Sequence, residues 1–507
     1  MTSSVHIRLH PQEVEFDLER GTPLQDVLFA HGVEFPCGGK ARCKGCRVRV
    51  LAGSLPVSPE QERMLTPEEI IAGWRLSCQC AAEGDLTLEL AQWEASILTD
   101  TSSFSFVGRP GLGVAVDIGT TTVVAQLLDL STANVLAVRT GLNPQARFGA
   151  DVMSRVSFAL EEQGAARLTG LIRKLVGTMI VELLEAAGAP ADQVRDVVLV
   201  GNTVMHHLFT GCSVAPLSHY PFESTTLGLM RLQPEEVGWS LPGDARIRFL
   251  PCVGGYVGSD ILAGVLALGL HRYDGLSALI DLGTNGEIVL GGRGRLICSS
   301  TAAGPAFEGA RIYMGMRAAT GAISEVEVRN GTPRYHVLGN VEPKGICGSG
   351  LVDAAAAFLD LGHILPGGRL NGGEAYLSLL GPVRISQTDI RELQLAKGAI
   401  AAGVRILAEQ MGASADAVEI VHLAGAFGNY VNIASAVRIG LLPFPPERVA
   451  PAGNTALLGA KIALFSDERG VEDLAHSIHH VSLHAHPAFQ EIYVEEMTFP
   501  DIGNGRG

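Results

Sequence analysis

The sequence predicts an α/β protein in two unequal parts: a small cysteine-rich module at the N-terminus, then a large two-lobed body organised around phosphate-binding hairpins. Three observations carry this. Five of the chain's nine cysteines crowd into residues 37–80. The run Val114-Ala-Val-Asp-Ile-Gly-Thr-Thr-Thr-Val-Val sets an apolar strand, Asp117, a tight turn at Gly119 and the hydroxyls of Thr120 and Thr121 before a second apolar strand. The pattern returns at Leu279-Ile-Asp-Leu-Gly-Thr-Asn-Gly-Glu-Ile-Val-Leu, with Asp281 and Gly283 in the places of Asp117 and Gly119. A hairpin turn of this kind lets the backbone approach an anion and offers it N–H and O–H donors. Two of them imply two similar half-domains closing on one nucleotide.

Bulk composition sets the limits. At 507 residues the chain is long enough for several domains, and 47% hydrophobic against 18% charged residues excludes global disorder. A net charge of −15 argues against nucleic acid or an anionic membrane as the main partner. No apolar run approaches the roughly 18 residues needed to span a bilayer; the richest, Ile261 to Leu270, is preceded by Asp260. The N-terminus lacks the basic and apolar regions of a secretion signal. An odd number of cysteines without such a signal reads as metal ligation in a reducing, cytoplasmic setting rather than as disulfides.

Residues 1–95 form the first expected domain. Val5–Leu9 and Glu13–Leu18 alternate as strands and are joined at His10-Pro11-Gln12. Thr22-Pro23 reads as a helix start, with Leu24, Val27, Leu28 and His31 at helical spacing. Cys37, Cys43 and Cys46 follow with C-x5-C-x2-C spacing, and Cys78 and Cys80 lie downstream. A [2Fe–2S] cluster needs four thiolates, and a loop containing Gly38, Gly39 and Gly45 turns backbone N–H groups toward its sulfurs. A zinc ribbon wants two C-x-x-C knuckles, and only one is present. Residues 96–110, rich in Ser and Thr and closed by Gly and Pro, read as a tether or, equally, as a packed interdomain strand.

Residues 111–500 form the second expected domain, with 501–507 as a tail. A turn precedes a helix start at Asp151, and Leu168–Ala187 is a long amphipathic helix. Val197-Val-Leu-Val-Gly-Asn-Thr reads as a buried strand ending in a further phosphate or metal edge, before a helix bearing His206 and His207. Adjacent helical residues point apart, so these two read as packing or partner-facing groups. Cys298 to Arg311 reads as a small-residue loop lying against a ligand or another protein, with Ser299 and Ser300 facing an acceptor or solvent. Gly348-Ser349-Gly350 opens an Ala-rich helix whose N-terminus suits phosphate. Gly425-Ala-Phe-Gly428 ends a strand in a turn able to admit an adenine ring. His476, His479, His480, His484 and His486 read as a solvated surface cluster.

The order of elements around the cysteines resembles the β-grasp fold of [2Fe–2S] ferredoxins, adrenodoxin-type in spacing. By that resemblance the ligands are Cys37, Cys43, Cys46 and Cys78, with Cys80 the alternative fourth. The two D-x-G-T hairpins, the glycine-rich helix entry and the L-A-G-A-F-G turn resemble the actin-like (ribonuclease H-like) ATPases, the actin/Hsp70/sugar-kinase superfamily. Together with G-N-T-V-M-H-H, T-A-A-G-P-A-F-E-G-A, G-I-C-G-S-G-L-V-D and the closing Y-V-E-E-M-T-F-P, the chain resembles the reductive activators of corrinoid proteins. The resemblance implies ATP, Mg²⁺ and a [2Fe–2S] cluster as cofactors. It implies a corrinoid protein or cobalamin-dependent methyltransferase as partner, and a ferredoxin, flavodoxin or reductase as electron donor; a homodimer is possible.

On this reading Asp117 and Asp281 organise Mg²⁺ through water, since Mg²⁺ keeps part of its hydration shell. Gly119, Thr120, Thr121, Gly283, Thr284, Asn285 and Gly286 hold phosphate oxygens. Glu287 or Asp260 orients the attacking water, if neither is merely a surface charge. Gly348, Ser349, Gly350, Gly425 and Gly428 frame the nucleoside. The expected function is ATP-dependent electron transfer restoring Co(I) from Co(II). The alternatives are an ATP-coupled activator of another low-potential enzyme and a nucleotide-binding redox sensor without turnover.

Overall fold

The computed structural model describes residues 4–10, 14–28, 31, 33, 41, 46–90, 106–149, 151–283, 285–309, 311–316, 318, 321–373, 375–428 and 430–501. Cys37, Gly38, Gly39, Cys43, Gly45, Thr284, most of the expected tether and the last six residues therefore lie outside the described residues, as do Pro11 to Glu13 of the first turn.

The cysteine module is a five-stranded mixed sheet. Its strands are β1 (Ser4–His10), β2 (Val14–Glu19), β3 (Arg47–Ala52), β4 (Trp74–Leu76) and β5 (Leu86–Leu90), in the order β2-β1-β5-β3-β4. Strict alternation buries Val5, Ile7 and Leu9 on one face of β1, and Leu86, Leu88 and Leu90 do the same on β5. Helix α1 (Leu24–Leu28) packs Leu24 and Leu28 onto that face. It begins two residues later than the sequence pattern predicts. Thr22-Pro23 instead pairs antiparallel with Ala81-Ala82, and His31, beyond the helix, stacks on Phe16 with ring centroids 4.6 Å apart.

The body repeats one architecture twice. The first lobe contains β6 (Leu112–Ile118), β7 (Thr122–Asp129), β8 (Val135–Leu142), α2 (Val152–Ala159), α3 (Gly164–Ala187), β9 (Val194–Gly201), α4 (Thr203–Thr210), β10 (Met230–Leu232), β11 (Arg246–Phe249) and α5 (Ser259–Leu268). Its sheet runs β8-β7-β6-β9-β11-β10, with the β6–β7–β8 meander antiparallel and β9 and β11 added in parallel. The second lobe repeats this with β12 (Ser277–Leu282), β13 (Gly286–Gly292), β14 (Arg295–Thr301), β18 (Ile420–Ala424), β19 (Val449–Gly453) and β20 (Ile478–His480), ordered β19-β18-β12-β13-β14-β20. A small sheet of β15 (Ala322–Arg329), β16 (Thr332–Val337) and β17 (Gly345–Ile346) is inserted before α6 (Gly348–Asp360) and α7 (Gln387–Gln410).

Separate apolar cores lie behind each large sheet, and a third lies between the lobes. That third core is built on α5 and α8 (Thr455–Phe465), which cross so closely that a Cβ on Gly459 would stand 2.0 Å from the Ala263 carbonyl oxygen. No larger residue fits this crossing.

At the edge of the first lobe, buried Asp196 on β9 accepts hydrogen bonds from Arg109 Nη2 (2.7 Å), Arg246 Nη2 (2.6 Å) and Arg248 Nη2 (2.8 Å). Arg248 is itself buried, and it also meets Glu468 at 3.5 Å on α9 (Glu468–Ser477). Arg109 closes the expected tether, so this cluster pins the tether's end to the sheet. Asp196→Ala leaves the Arg248 guanidinium buried without its main counter-charge. It is expected to cost about 3–5 kcal/mol, read as a lowered denaturation midpoint, whereas Arg246→Ala, at a half-exposed position, should cost far less.

Candidate functional site

The repeated sheets deliver one carboxylate each to the cleft between the lobes. Asp117, near the end of β6, pairs in register with Val124 on β7 and Val200 on β9. Asp281 holds the equivalent place on β12, opposite Glu287 on β13 and Ala424 on β18. Asp260 stands in the first turn of α5. Each aspartate keeps some solvent contact, as the wall of a cleft does, while the surrounding protein removes most of the water that would stabilise its charge.

The titrations follow. Burial pushes Asp117 up to about 6, and the Asn454 side chain, donating to Asp117 Oδ2 at 2.9 Å, holds it back from rising further. Burial and then the Asp117 charge push Asp281 up to about 7. Burial, then the charges of Asp281 and Asp117, push Asp260 up to about 8. Glu287 is raised well above its ordinary value by burial, then by Asp260 and Asp281. Four carboxyls from both lobes thus feel one another as a single acidic cluster. Among the described residues, no group of three or more His, Cys, Asp or Glu side chains converges closely enough to ligate one ion directly.

Behind Asp117 the first hairpin turn is held from its inner side. Asn143 donates through Nδ2 to the Gly119 carbonyl (2.9 Å) and through its N–H to that of Thr121 (2.8 Å). The buried Arg155 guanidinium donates to the Thr120 carbonyl and, at 3.2 Å, to Gln145 Oε1. Thr120 Oγ1 accepts from Asn202 Nδ2 at 2.9 Å, while Asn202 Oδ1 caps α4 by accepting from Met205 N–H at 3.0 Å. A Cβ on Gly119 would lie 2.5 Å from the Thr122 carbonyl oxygen, so the turn closes only on glycine.

The second hairpin is tied to the later glycine turns. Gly283 N–H donates to the Asn285 carbonyl at 3.0 Å, and the Asn285 side chain and the Ser300 hydroxyl (3.3 Å) both bond Glu287. Gly425, at φ +85°, lies so close that a Cβ would stand 2.3 Å from Asp281 Oδ1. Phe427 stacks on Phe307 with centroids 4.5 Å apart, and the Phe307 carbonyl would lie 1.8 Å from a Cβ on Gly348. The Gly425–Gly428 turn, Phe307 and the start of α6 therefore form one continuous wall beside Asp281. Gly348, Gly350 and Gly286 owe their size to packing, since added Cβ atoms would meet Phe307 O, Ile323 O and the Ile400 side chain. Ser349 donates to the Ser324 carbonyl at 2.9 Å.

Several sequence expectations are corrected here. Cys298 to Thr301 are strand, not loop. Ser299 is buried and donates to the Val481 carbonyl at 2.8 Å, so it faces neither ligand nor solvent. Glu287 is buried and Asp260 lines the cleft, so neither is a surface charge. His206 and His207 are packing residues, one of the two expected readings, although their rings do not point apart: both are buried, with ring centroids 5.3 Å apart, and His207 Nε2 meets Ser224 Oγ at 2.7 Å. They pack α4 against β11, His206 edge-on to Phe249. Nor are the C-terminal histidines one solvated cluster, because His480 lies on β20 with its ring against Gly254 and titrates below its usual range through burial.

In the cysteine module, Cys46 is buried at the head of β3, and its carbonyl accepts from both Ser77 N–H (3.0 Å) and Ser77 Oγ (2.8 Å). This brings the Ser77–Gln79 turn, with half-buried Cys78, beside Cys46. Cys80 turns into the core, donates to the Leu76 carbonyl at 3.3 Å and accepts from Gln61 Nε2 at 3.7 Å. Burial pushes its thiol up to about 12.

Asn143, Arg155 and Asn454 escaped sequence reasoning. Each acts from outside the hairpin motifs, and an Asn before a helix is ordinarily only its cap, which Asn454 also is for α8.

Comparison with known proteins agrees with this layout. Residues 7–83 match the 2Fe-2S iron-sulfur cluster binding domain. Residues 112–273 match the RACo middle region, and 275–505 the C-terminal domain of RACo, the ASKHA domain. The chain is 30% identical to the corrinoid activation enzyme RamQ of Eubacterium limosum, over 96% of this chain and 98% of that protein. It is 28% identical to the [Co(II) methylated amine-specific corrinoid protein] reductase of Methanosarcina barkeri, over 76% and 77%. The solved structure of a reductive activator for corrinoid, iron-sulfur protein superposes with a TM-score of 0.66 at 28% identity, over 98% of each chain. With an iron–sulfur domain, a two-lobed ASKHA body and a full-length relative at this level of identity, the chain belongs to the family of reductive activators of corrinoid proteins.

Proposed function

We propose that the protein is an ATP-dependent reductive activator. It passes an electron from a [2Fe–2S] cluster in its N-terminal domain to the Co(II) corrinoid of a partner protein or cobalamin-dependent methyltransferase, restoring Co(I). The observation that carries this is the joining, in one chain, of a cysteine module with Cys46 and Cys78 adjacent to a cleft lined by four carboxyls that hold one another's charge in check. The division at residues 95 and 110, the cytoplasmic setting and an outside donor such as a ferredoxin, flavodoxin or reductase belong to the same reading.

Cys37, Cys43, Cys46 and Cys78 hold the cluster, which supplies one-electron transfer. The place of Cys80 argues against it as the fourth ligand: its Sγ is turned into the module's core and held between the Leu76 carbonyl and Gln61 Nε2. In the cleft, Asp117 and Asp281 hold Mg²⁺ through water. The donor set fits: carboxyls raised to about 6 and 7 are groups short of positive charge. Thr120 and Asn285, with Gly119, Thr121, Gly283 and Thr284, face phosphate oxygens, and Asn143 and Arg155 keep the first turn's carbonyls out of the anion's way. Gly348–Gly350 and Gly425–Gly428 border the nucleoside. Glu287, held by Asn285 and Ser300, would accept the proton of the attacking water once a bound cation offsets the neighbouring carboxyl charges and lets it ionise.

The direct test mixes the dithionite-reduced protein with a Co(II) corrinoid protein, with and without Mg-ATP. A Co(I) absorption band that grows with ATP is expected, and its absence defeats the reading. For the ligands, Cys80→Ala should keep the full visible absorbance and iron content, whereas Cys78→Ala should lose most of both; the reverse result would reassign the fourth ligand.

The acidic cluster sets a pH dependence. Because Asp117, Asp281 and Asp260 titrate at about 6, 7 and 8 in the folded chain, the native state holds more protons than the unfolded state between roughly pH 4 and 8. Stability of the ligand-free protein should therefore fall as pH rises through that window. Mg²⁺ binding displaces those protons, so the gain in melting temperature from Mg-ADP should be larger at pH 8.5 than at pH 6. A gain independent of pH would remove the cluster from metal binding.

A further inference from the structure

Asp26 lies on α1 between Leu24 and Leu28, which face the module's own core. Yet the Asp26 carboxylate is only 2% exposed, because the second lobe covers it. Its Oδ1 meets His336 Nε2 at 3.3 Å, at the end of β16, and its Oδ2 accepts from Gly339 N–H at 3.1 Å. Gly339 and Asn340 are both left-handed, at φ +81° and +50°, an arrangement that turns the Gly339 N–H out toward the module. A carboxylate is not buried at a domain boundary without partners, and these two partners are supplied wholly by the other domain. A second contact lies beside it: Tyr430 packs against the module's core cluster.

Both contacts lead directly to the nucleotide wall. Tyr430 hangs two residues beyond the Gly425–Gly428 turn, whose first residue backs Asp281 and whose Phe427 stacks on Phe307. The His336–Asn340 segment continues β16, which pairs with β15. The Ile323 carbonyl of β15 receives Cys347 N–H (3.1 Å) and crowds Gly350 at the head of α6.

We propose that the surface formed by His336, Gly339 and Tyr430 is a docking site for the chain's own cluster module, latched by Asp26, and that docking and nucleotide binding reinforce one another. The physical route is displacement: the docked module bears on the same close-packed segments that border the nucleoside, so each partner favours the arrangement the other binds, and by reciprocity a bound nucleotide tightens the dock. When the nucleotide leaves, the latch weakens and the module is freed to carry its electron. This rests on the nucleotide lying against the Gly425–Gly428 turn, as in the proposed function.

The test uses the full-length, cluster-loaded protein and its Asp26→Ala and Asp26→Asn variants, whose own core is untouched; retained visible absorbance reports that the module is folded. In the wild type, ATP should lower hydrogen exchange in Leu24–Leu28 and Leu338–Asn340 together. In Asp26→Ala, small-angle scattering should show a larger radius of gyration, exchange at both segments should rise, and the ATP dissociation constant should increase at least threefold, with Asp26→Asn between. Unchanged scattering and exchange in Asp26→Ala would remove the latch, and unchanged or tighter ATP binding with a released module would remove the coupling. A wild type that binds no ATP would instead overturn the proposed function.

Discussion

The structure turns on an electrostatic conflict. Asp281 and Glu287 stand directly opposite each other on paired strands, an arrangement that like charges disfavour, and Asp117 and Asp260 approach the same cleft from the other lobe. Such a group in a water-poor site stays charged only beside a compensating cation; otherwise it takes up protons. The fold is arranged to keep the conflict in place. Both six-stranded sheets end at it, α5 and α8 cross at Gly459 to fix the lobes' separation, and Gly425 leaves the space that the Asp281 carboxyl occupies. Polar neighbours moderate the charge without cancelling it: Asn454 on Asp117, Asn285 and Ser300 on Glu287. On the proposed function, a cation with its phosphates would resolve what the chain leaves unbalanced, and its binding would then bear on how the lobes sit.

Much of this was legible in the sequence because it is local. A strand, an acidic residue, a tight glycine and hydroxyls fall within eleven consecutive residues, so the repeated hairpin announces both lobes and both aspartates. Cysteine spacing is equally local. The unreadable part is what arrives from a distance. Asn454 reaches Asp117 across 337 positions, and Arg155 fixes the Thr120 carbonyl from a helix of which the sequence shows only the start at Asp151. The Ser299 expectation failed for a related reason: a small polar residue suggests exposure, yet a hydroxyl with a carbonyl partner is stable in a core. The helix start at Thr22-Pro23 lost to a two-residue strand pairing, a tertiary contact that no helical spacing reveals.

The glycines divide along the same line. In sequence, Gly119, Gly348, Gly350 and Gly425 look alike, as ligand-approach residues, Gly119 for phosphate and the others around the nucleoside. In space they serve different ends. Gly119 closes a turn against its own chain, Gly348 and Gly350 let α6 press onto the Phe307 turn and β15, and Gly425 makes room for a carboxylate. The wall beside Asp281 is thus built by close backbone packing, which makes it stiff, and a stiff wall transmits displacement rather than absorbing it.

That stiffness bears on the energetics of the electron step. Plant-type [2Fe–2S] centres sit near roughly −400 mV, and each further 100 mV uphill costs about 2.3 kcal/mol per electron. At about 1.36 kcal/mol per tenfold, this is a population bias of roughly fifty-fold. A nucleotide supplies such a bias only through different affinities for two arrangements of the protein. The segment from Gly425 to Tyr430 is placed to distinguish them: one end abuts the Asp281 carboxyl and the other touches the module that carries Cys46 and Cys78. On the proposed reading, an acidic cleft that relaxes when a cation enters, with the Gly425–Gly428 turn on its wall and Tyr430 against a cluster module held by one buried aspartate, is sufficient in kind to tie nucleotide state to the module's position. On that reading the chain needs no separate relay between its two chemistries, because the wall of the proposed nucleotide site is the seat of the module.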